Sequence, residues 1–187
     1  MSNNVVVTKG HHTCGQFVND AVAIKRAPFK SICDQSKRKD PFLGEGFYFW
    51  DDNIEAARWW GKSHYYGKYT ILEYDFTLSG DHFLDLVGCR RDIRILLTLR
   101  EKLKKNGCRD DDLTISKCIA LLKEIERKAP GVFPYTVVRA MDVSCRQDRL
   151  KFVDDENRRG YMLGNPRIII CYFDRNDIPL QTAKVVK

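Results

Sequence analysis

The sequence predicts an α+β fold. Two runs rich in β-branched and aromatic residues, at 46–50 and 166–173, have the composition of strands. Between them, apolar residues recur at helical spacing from 90 to 129. At 187 residues the chain has the length of one domain with a single core. We therefore expect one domain over residues 1–187.

The amino-terminal part predicts a strand followed by a helix. β-branched residues indicate a short strand at 5–11. Phe17, Ala21 and Ile24 then share one face of a helix, which must end before Pro28.

A second strand and helix follow at 46–50 and 51–66. Acidic residues at the start of this helix suit the positive end of its dipole. The next segment, 68–86, alternates in a way that predicts two strands with a turn at Ser79 and Gly80.

The middle of the chain changes to helical periodicity. Segments 90–107 and 111–131 predict a helical hairpin, inserted at about 90–129 between two strand-rich halves. The tail returns to strands at 135–143, 148–153 and 166–173.

The composition indicates a cytoplasmic protein without a membrane span. No apolar run approaches the roughly 18 residues that cross a bilayer, and the start MSNNVVVTKG lacks the features of a secretory signal. The seven cysteines are scattered singly, with no CxxC pair and no histidine at a zinc spacing. We expect free thiols and no metal site.

The positive charge is concentrated in the predicted hairpin. The chain carries 32 basic and 25 acidic residues, a net charge of +7. Segment 90–109 contains eight lysines and arginines against two acids, Asp92 and Glu101. Such a cluster attracts phosphates, but it also fits an ordinary solvated helix face.

The strongest functional signal is the order of three motifs. His-His-Thr stands at 11–13, Gly-x-Gly-x-Tyr-Phe at 44–49, and the next helix carries Ala57 and Trp59. This order resembles the ADP-ribosyltransferases of the poly(ADP-ribose) polymerase type, whose pattern is His-Gly-Thr/Ser, Gly-x-Gly-x-Tyr-Phe and Ala-x-Tyr. It is also similar to small bacterial proteins of that fold that read Leu-Gly-x-Gly-x-Tyr-Phe-Trp.

The resemblance implies a split antiparallel sheet and a site for NAD. His11 matches the family histidine, which holds a ribose hydroxyl, and Thr13 matches the small hydroxyl residue. His12 replaces the usual glycine, whose backbone bonds the carboxamide, and therefore adds bulk there. Gly46 matches the second motif. His64 and His82 match nothing, and we expect both at the surface.

Two aromatic rings are predicted to clamp the nicotinamide. A flat cationic ring is attracted to aromatic faces by stacking and cation-π interactions, and the resemblance assigns these faces to Tyr48 and Trp59. Arg139 is a candidate for the NAD pyrophosphate, because a guanidinium suits bidentate phosphate contact.

The third catalytic position lacks its carboxylate. Polymerase-type members have a glutamate on a late strand and related bacterial proteins a glutamine, where alignment places Ile169 with Arg167 and Asn165 on the same face. Glu156 and Asp155, just upstream, are the acids that could reach in. We therefore expect transfer of a single ADP-ribose.

The predicted function is NAD-dependent mono-ADP-ribosylation of a nucleic acid or protein. The resemblance suggests a bacterial toxin or phage-defence effector, with an antitoxin protein as a possible partner. Two alternatives stay open: a non-catalytic RNA-binding module that stacks bases on the aromatic cluster, and a metal-independent ribonuclease with His11 and His12 as acid and base.

Overall fold

The computed structural model describes residues 5–34, 36, 40–142, 149–153 and 160–186. It confirms an α+β fold with a mostly antiparallel sheet. The strands are β1 (Val6–Gly15), β2 (Lys30–Ser31), β3 (Gly46–Asp51), β4 (Tyr69–Leu78), β5 (Phe83–Asp85), β6 (Val137–Asp142), β7 (Arg149–Lys151), β8 (Tyr161–Leu163), β9 (Arg167–Tyr172) and β10 (Lys184–Val186).

The main sheet runs in the order β10-β4-β1-β3-β9-β6-β5, with β2 paired to β3. The pair β5 and β6 is parallel and the other pairs are antiparallel. Strands β7 and β8 form a separate two-stranded sheet. Neighbouring residues such as Phe49 and Trp50, or Ile169 and Ile170, belong to different core clusters, because strand side chains alternate between the two faces.

The helices are α1 (Asp20–Arg26), α2 (Ile54–His64), α3 (Arg90–Lys105) and α4 (Ile115–Lys128). Side chains of Asn19, Asn53 and Thr114 cap α1, α2 and α4 by accepting backbone N–H groups. None of the described helices is long and apolar enough to cross a membrane.

The first strand and helix differ from the prediction. β1 continues to Gly15 because it pairs with β4 along its whole length. Helix α1 then begins at Asp20, directly after its N-cap residue Asn19. Ala21 and Ile24 are exposed and Ala23 is buried, so the predicted apolar face of this helix is wrong.

Two helices, α3 and α4, occupy the segment 90–129 that was predicted as a helical hairpin, and both contribute to the core. Leu96 of α3 and Ile119 and Leu122 of α4 are buried in the same cluster as Trp50 and Ile169. The hairpin therefore supports the sheet face that carries α2.

The two strands predicted around Ser79 and Gly80 are confirmed, but they do not pair with each other. β4 lies between β1 and β10, whereas β5 lies at the other end of the sheet beside β6. Alternation within a segment cannot reveal which partner it meets.

Candidate functional site

A cavity of about 580 Å³ opens where β1 and β3 separate. Both strands are fully described, and they pair at two positions, Gly10 with Asp51 and His11 with Trp50. Beyond His11 the two strands diverge and leave a gap. Most of the side chains that line this gap carry aromatic rings. These are His12, Phe29, Phe42, Tyr48, Phe49, Trp50, Trp60, His64 and Tyr65. The volume is typical of small-molecule sites.

His12 bridges the gap between the strands. The Phe29 N–H donates to His12 Nε2 at 3.2 Å, so Nδ1 carries the proton and donates to the Tyr48 carbonyl at 2.9 Å. Burial lowers the pKa of His12 to about 4. The ring is neutral, with both nitrogens bonded, and it replaces the missing strand pairing.

Arg175 fixes the segment that leads into Phe29. Its guanidinium donates to the Ala27 carbonyl at 2.8 Å and to the Pro28 carbonyl at 2.6 Å. No motif marked this arginine, because its partners are backbone atoms far away in sequence. It holds one wall of the cavity in place.

Tyr48 lines the cavity, and its hydroxyl is hydrogen-bonded to the backbone of the preceding loop. The hydroxyl accepts the Leu43 N–H at 2.8 Å and donates to the Gly44 carbonyl at 2.5 Å. Gly44 has φ +84°, which a side chain would strain. Burial raises the pKa of Tyr48 well above its usual range. The ring is therefore held in a fixed position against its own loop.

Of the two neighbouring tryptophans of α2, Trp60 lines the cavity and Trp59 does not. Trp60 lines the cavity, and His64, one turn later, stacks on it with ring centroids 3.5 Å apart. The ring of Trp59 lies outside the lining, half-exposed, with the Arg167 guanidinium 4.7 Å from its centre. His64 is exposed, as expected, yet it also borders the cavity.

The spacing of small residues in α2 indicates which face of the helix packs against the sheet. Ala56, Ala57 and Gly61 are buried against the sheet, and an added Cβ at Gly61 would lie 2.4 Å from the Tyr69 ring. Trp60 and His64 follow Ala56 at i+4 and i+8, so they share that face.

His11, the predicted ribose-binding residue, lies outside the cavity lining. Its Nε2 is 3.3 Å from Glu73, which also pairs with Lys9 at 2.6 Å and Lys184 at 2.9 Å. The Nδ1 atom is buried and makes no hydrogen bond within the described part of the chain. The cross-strand neighbour of His11, Trp50, lines the cavity instead.

This arrangement does not support a ribonuclease that uses His11 and His12 together. Of these two histidines, His12 borders the cavity and His11 does not. Both nitrogens of His12 are already bonded. The two imidazoles therefore do not form an acid–base pair at one site.

Thr13 and Gly46 have structural contacts at the predicted motif positions. Thr13 lines the cavity, and its hydroxyl donates to the Ala57 carbonyl at 3.0 Å, which joins β1 to α2. A Cβ at Gly46 would lie 2.4 Å from Cys171 Sγ and 2.6 Å from the Tyr172 carbonyl. The glycine thus allows β3 to approach β9.

Ile169 lines the cavity, where the alignment placed the third catalytic position. It is buried and brings no polar atom. On the same side, Asn165 accepts a hydrogen bond from Asn53 at 2.8 Å and Arg167 covers Trp59. Glu156 and Asp155 lie outside the described residues.

Arg139 is part of a buried ion-pair cluster away from the cavity. Its Nε is 2.6 Å from Asp51 and its Nη1 3.4 Å from Asp85. The hydroxyl of Thr8 also donates to Asp51. The predicted pyrophosphate ligand is therefore already paired with carboxylates.

Few charged groups border the cavity. Among the described lining residues, Asp40 is the one carboxylate and Lys30 the one lysine or arginine, and Lys30 lies 3.6 Å from Glu45. No group of three or more metal-binding side chains was found in the described part of the chain. Besides aromatic faces, the described lining offers the imidazoles of His12 and His64, the carboxylate of Asp40 and the ammonium group of Lys30.

Compared with models of protein families, with characterised proteins and with solved structures, the chain matches none.

Proposed function

We propose that the protein is an NAD-dependent mono-ADP-ribosyltransferase acting on a macromolecule. The observation that carries this proposal is the meeting of three distant sequence positions, Tyr48, Trp60 and Ile169, in one aromatic-walled cavity. The split between β1 and β3 that opens the cavity also agrees with the fold that the motifs suggest.

The residues present fit the nicotinamide end of NAD. Tyr48 is held by its loop and Trp60 by His64, so two fixed ring systems are available to a flat cation. Each such contact contributes about 0.5 to 2 kcal/mol. Lys30 is the lining cation that suits a phosphate.

The proposed reaction breaks the bond between nicotinamide and ribose. Nicotinamide leaves as a neutral amide, a nucleophile of the acceptor bonds to the ribose carbon, and the acceptor's proton passes to a base. The transition state has the oxocarbenium character of glycoside hydrolysis. Asp40 and His64 are the lining groups able to take that proton.

The biological setting that we propose is a toxin or phage-defence effector in the bacterial cytoplasm, restrained by a protein partner. This part of the proposal rests on the resemblance of the motifs alone.

Labelled NAD tests the proposal directly. The protein is incubated with NAD labelled in the adenylate and with cell lysate, and parallel samples are digested with protease or nuclease. Label that becomes macromolecular supports the transferase, and the digestion that releases it identifies the acceptor class. Binding of RNA without any labelling would favour the non-catalytic RNA-binding module.

A matched pair of variants connects the labelling to the cavity. Trp60→Ala should abolish most labelling, whereas Trp59→Ala, one residue away and outside the lining, should retain it. Equal labelling by both variants would place the activity elsewhere.

A further inference from the structure

Helix α3 carries a stripe of cations along one exposed face. Arg91, Arg94, Lys102 and Lys105, which we call the α3 stripe, are all exposed. Their spacing of i, i+3, i+11 and i+14 places them on the same side of the helix, with exposed Thr98 at i+7 between them. The stripe extends about 21 Å along the helix axis.

The cations next to the stripe are neutralised by the turn that follows the helix. Asp110 pairs with Arg100 at 3.0 Å and with Lys104 at 2.5 Å. Asp112 pairs with Arg109 at 3.3 Å. The acids of this turn therefore neutralise the cations on that side of the hairpin.

The stripe itself keeps most of its charge. Arg91 lies 3.4 Å from the buried Asp92, while its other three members form no ion pair with any described residue. Glu101, the one exposed acid on α3, forms none either, so the balance on this face remains positive.

The stripe stands on a fixed support. Leu96 on the opposite side of α3 is buried in the core, and α4 packs alongside through Cys118, Ile119 and Leu122. No residue of α3 or α4 lines the cavity, so the stripe is a surface separate from it. It carries no aromatic ring, which favours contact with charge over stacking with bases.

We propose that the α3 stripe binds the phosphate backbone of a nucleic acid. A row of exposed cations about 21 Å long, three of which form no ion pair with a described residue, follows a polyanion and gains affinity by releasing counterions. The binding does not depend on the proposed transferase activity. The identification of this nucleic acid as the acceptor of ADP-ribose rests on the proposed function.

Fluorescence anisotropy tests the binding without NAD. Labelled single-stranded RNA, single-stranded DNA and duplex DNA are titrated with the full chain between about 50 and about 200 mM salt. If all four cations contact phosphates, the affinity for the bound oligonucleotide falls by about 100-fold over this range. Reversal of the stripe, with all four residues changed to Glu, should remove most of the binding and flatten the salt dependence.

The matched control has the same net charge. Lys25, Arg26, Lys62 and Lys68 are exposed and lie outside the stripe and the cavity lining, and their change to Glu should leave most of the affinity. Equal loss in both reversal variants would overturn the proposal, because net charge alone would then explain binding. Tighter binding to phosphatidylserine vesicles than to any oligonucleotide would also overturn it, in favour of a lipid surface.

A second, charge-neutral variant tests the proposal even if the Glu reversal variant does not fold. With the four stripe residues changed to Gln, the helix keeps favourable side chains and loses only its charge. This variant should lose binding as well, and wild-type affinity in a folded Gln variant would contradict the proposal.

Discussion

The Nδ1 atom of His12 lies 2.9 Å from the carbonyl oxygen of Tyr48, across the point where β1 and β3 separate. A side chain thus takes over a position where two diverging strands no longer bond to each other. Because burial keeps this imidazole neutral, the stability of the fold depends on pH.

The stability of the fold should decrease as the pH falls from 6.5 toward 4. The pKa of His12 is lowered to about 4 in the folded state, so between these values the unfolded chain binds more protons than the folded one. The stabilisation is complete above pH 6.5 and is lost as the pH falls through 4, up to about 3 kcal/mol. Urea unfolding at a series of pH values measures it. His12→Gln should flatten this dependence, and identical slopes in both proteins would contradict the assignment.

If the proposed clamp binds nicotinamide, Trp60→Ala should weaken NAD binding by about tenfold, because it removes one of its two rings. Trp60→Phe, which keeps a ring, should recover part of the affinity. Trp59→Ala should change it less than about twofold, since its ring packs under Arg167 outside the lining. Calorimetric titration measures all three. A loss confined to Trp59→Ala would restore the assignment that the motif suggested.

Arg139→Gln should reduce stability rather than affinity. It removes the guanidinium that the buried carboxylates of Asp51 and Asp85 both contact, a change that costs about 3 to 5 kcal/mol. Adding Asp51→Asn should cost less than the sum of the two single changes, because the pair acts as a unit. An Arg139 variant with normal stability and weakened NAD binding would instead make this residue a phosphate ligand.

Gly46→Ala should destabilise the protein by about 1 to 3 kcal/mol. Its new methyl group would overlap Cys171 Sγ and the Tyr172 carbonyl. Gly15→Ala is the control, since the nearest described atoms there are 3.8 Å away, in the Tyr65 ring. Thermal melts of the two variants should differ by several degrees, and equal melting would mean that the strands adjust freely.

Local patterns predicted the elements better than their partners. The run at 46–50, the helix with its acidic start and the hairpin all follow from periodicity within one segment. The separation of β4 from β5 depends on distant strands and left no local trace.

Contacts between residues distant in sequence were also not predicted at the candidate site. Two residues that the motifs singled out, Tyr48 and Ile169, line the cavity, because their strands β3 and β9 are paired neighbours in the sheet. The motifs could not reveal that Arg139 is held by Asp51 and Asp85, which are distant in sequence. The position of Trp60 at the cavity could have been predicted from the sequence, because the small residues of α2 mark its buried face.

The product of the proposed reaction should be a single ADP-ribose on each acceptor site, without a chain. Chain extension needs a group that binds and activates the hydroxyl of the previous ADP-ribose, and Ile169 offers only hydrocarbon at the position aligned with that group. A first transfer needs only a base for the acceptor's proton, and the described lining offers Asp40 and His64.

Mass spectrometry of the labelled acceptor distinguishes the two outcomes. We expect one added ADP-ribose per site. Asp40→Asn or His64→Gln should lower the rate of transfer about 100-fold or more if that residue is the base. The affinity for NAD should stay nearly unchanged in Asp40→Asn and should fall in His64→Gln, which also removes the ring stacked on Trp60. The two variants are matched, since each removes one titratable group from the same cavity. Ladders of repeating units would show that a carboxylate elsewhere serves the third position, and Glu156 would then be the first residue to substitute.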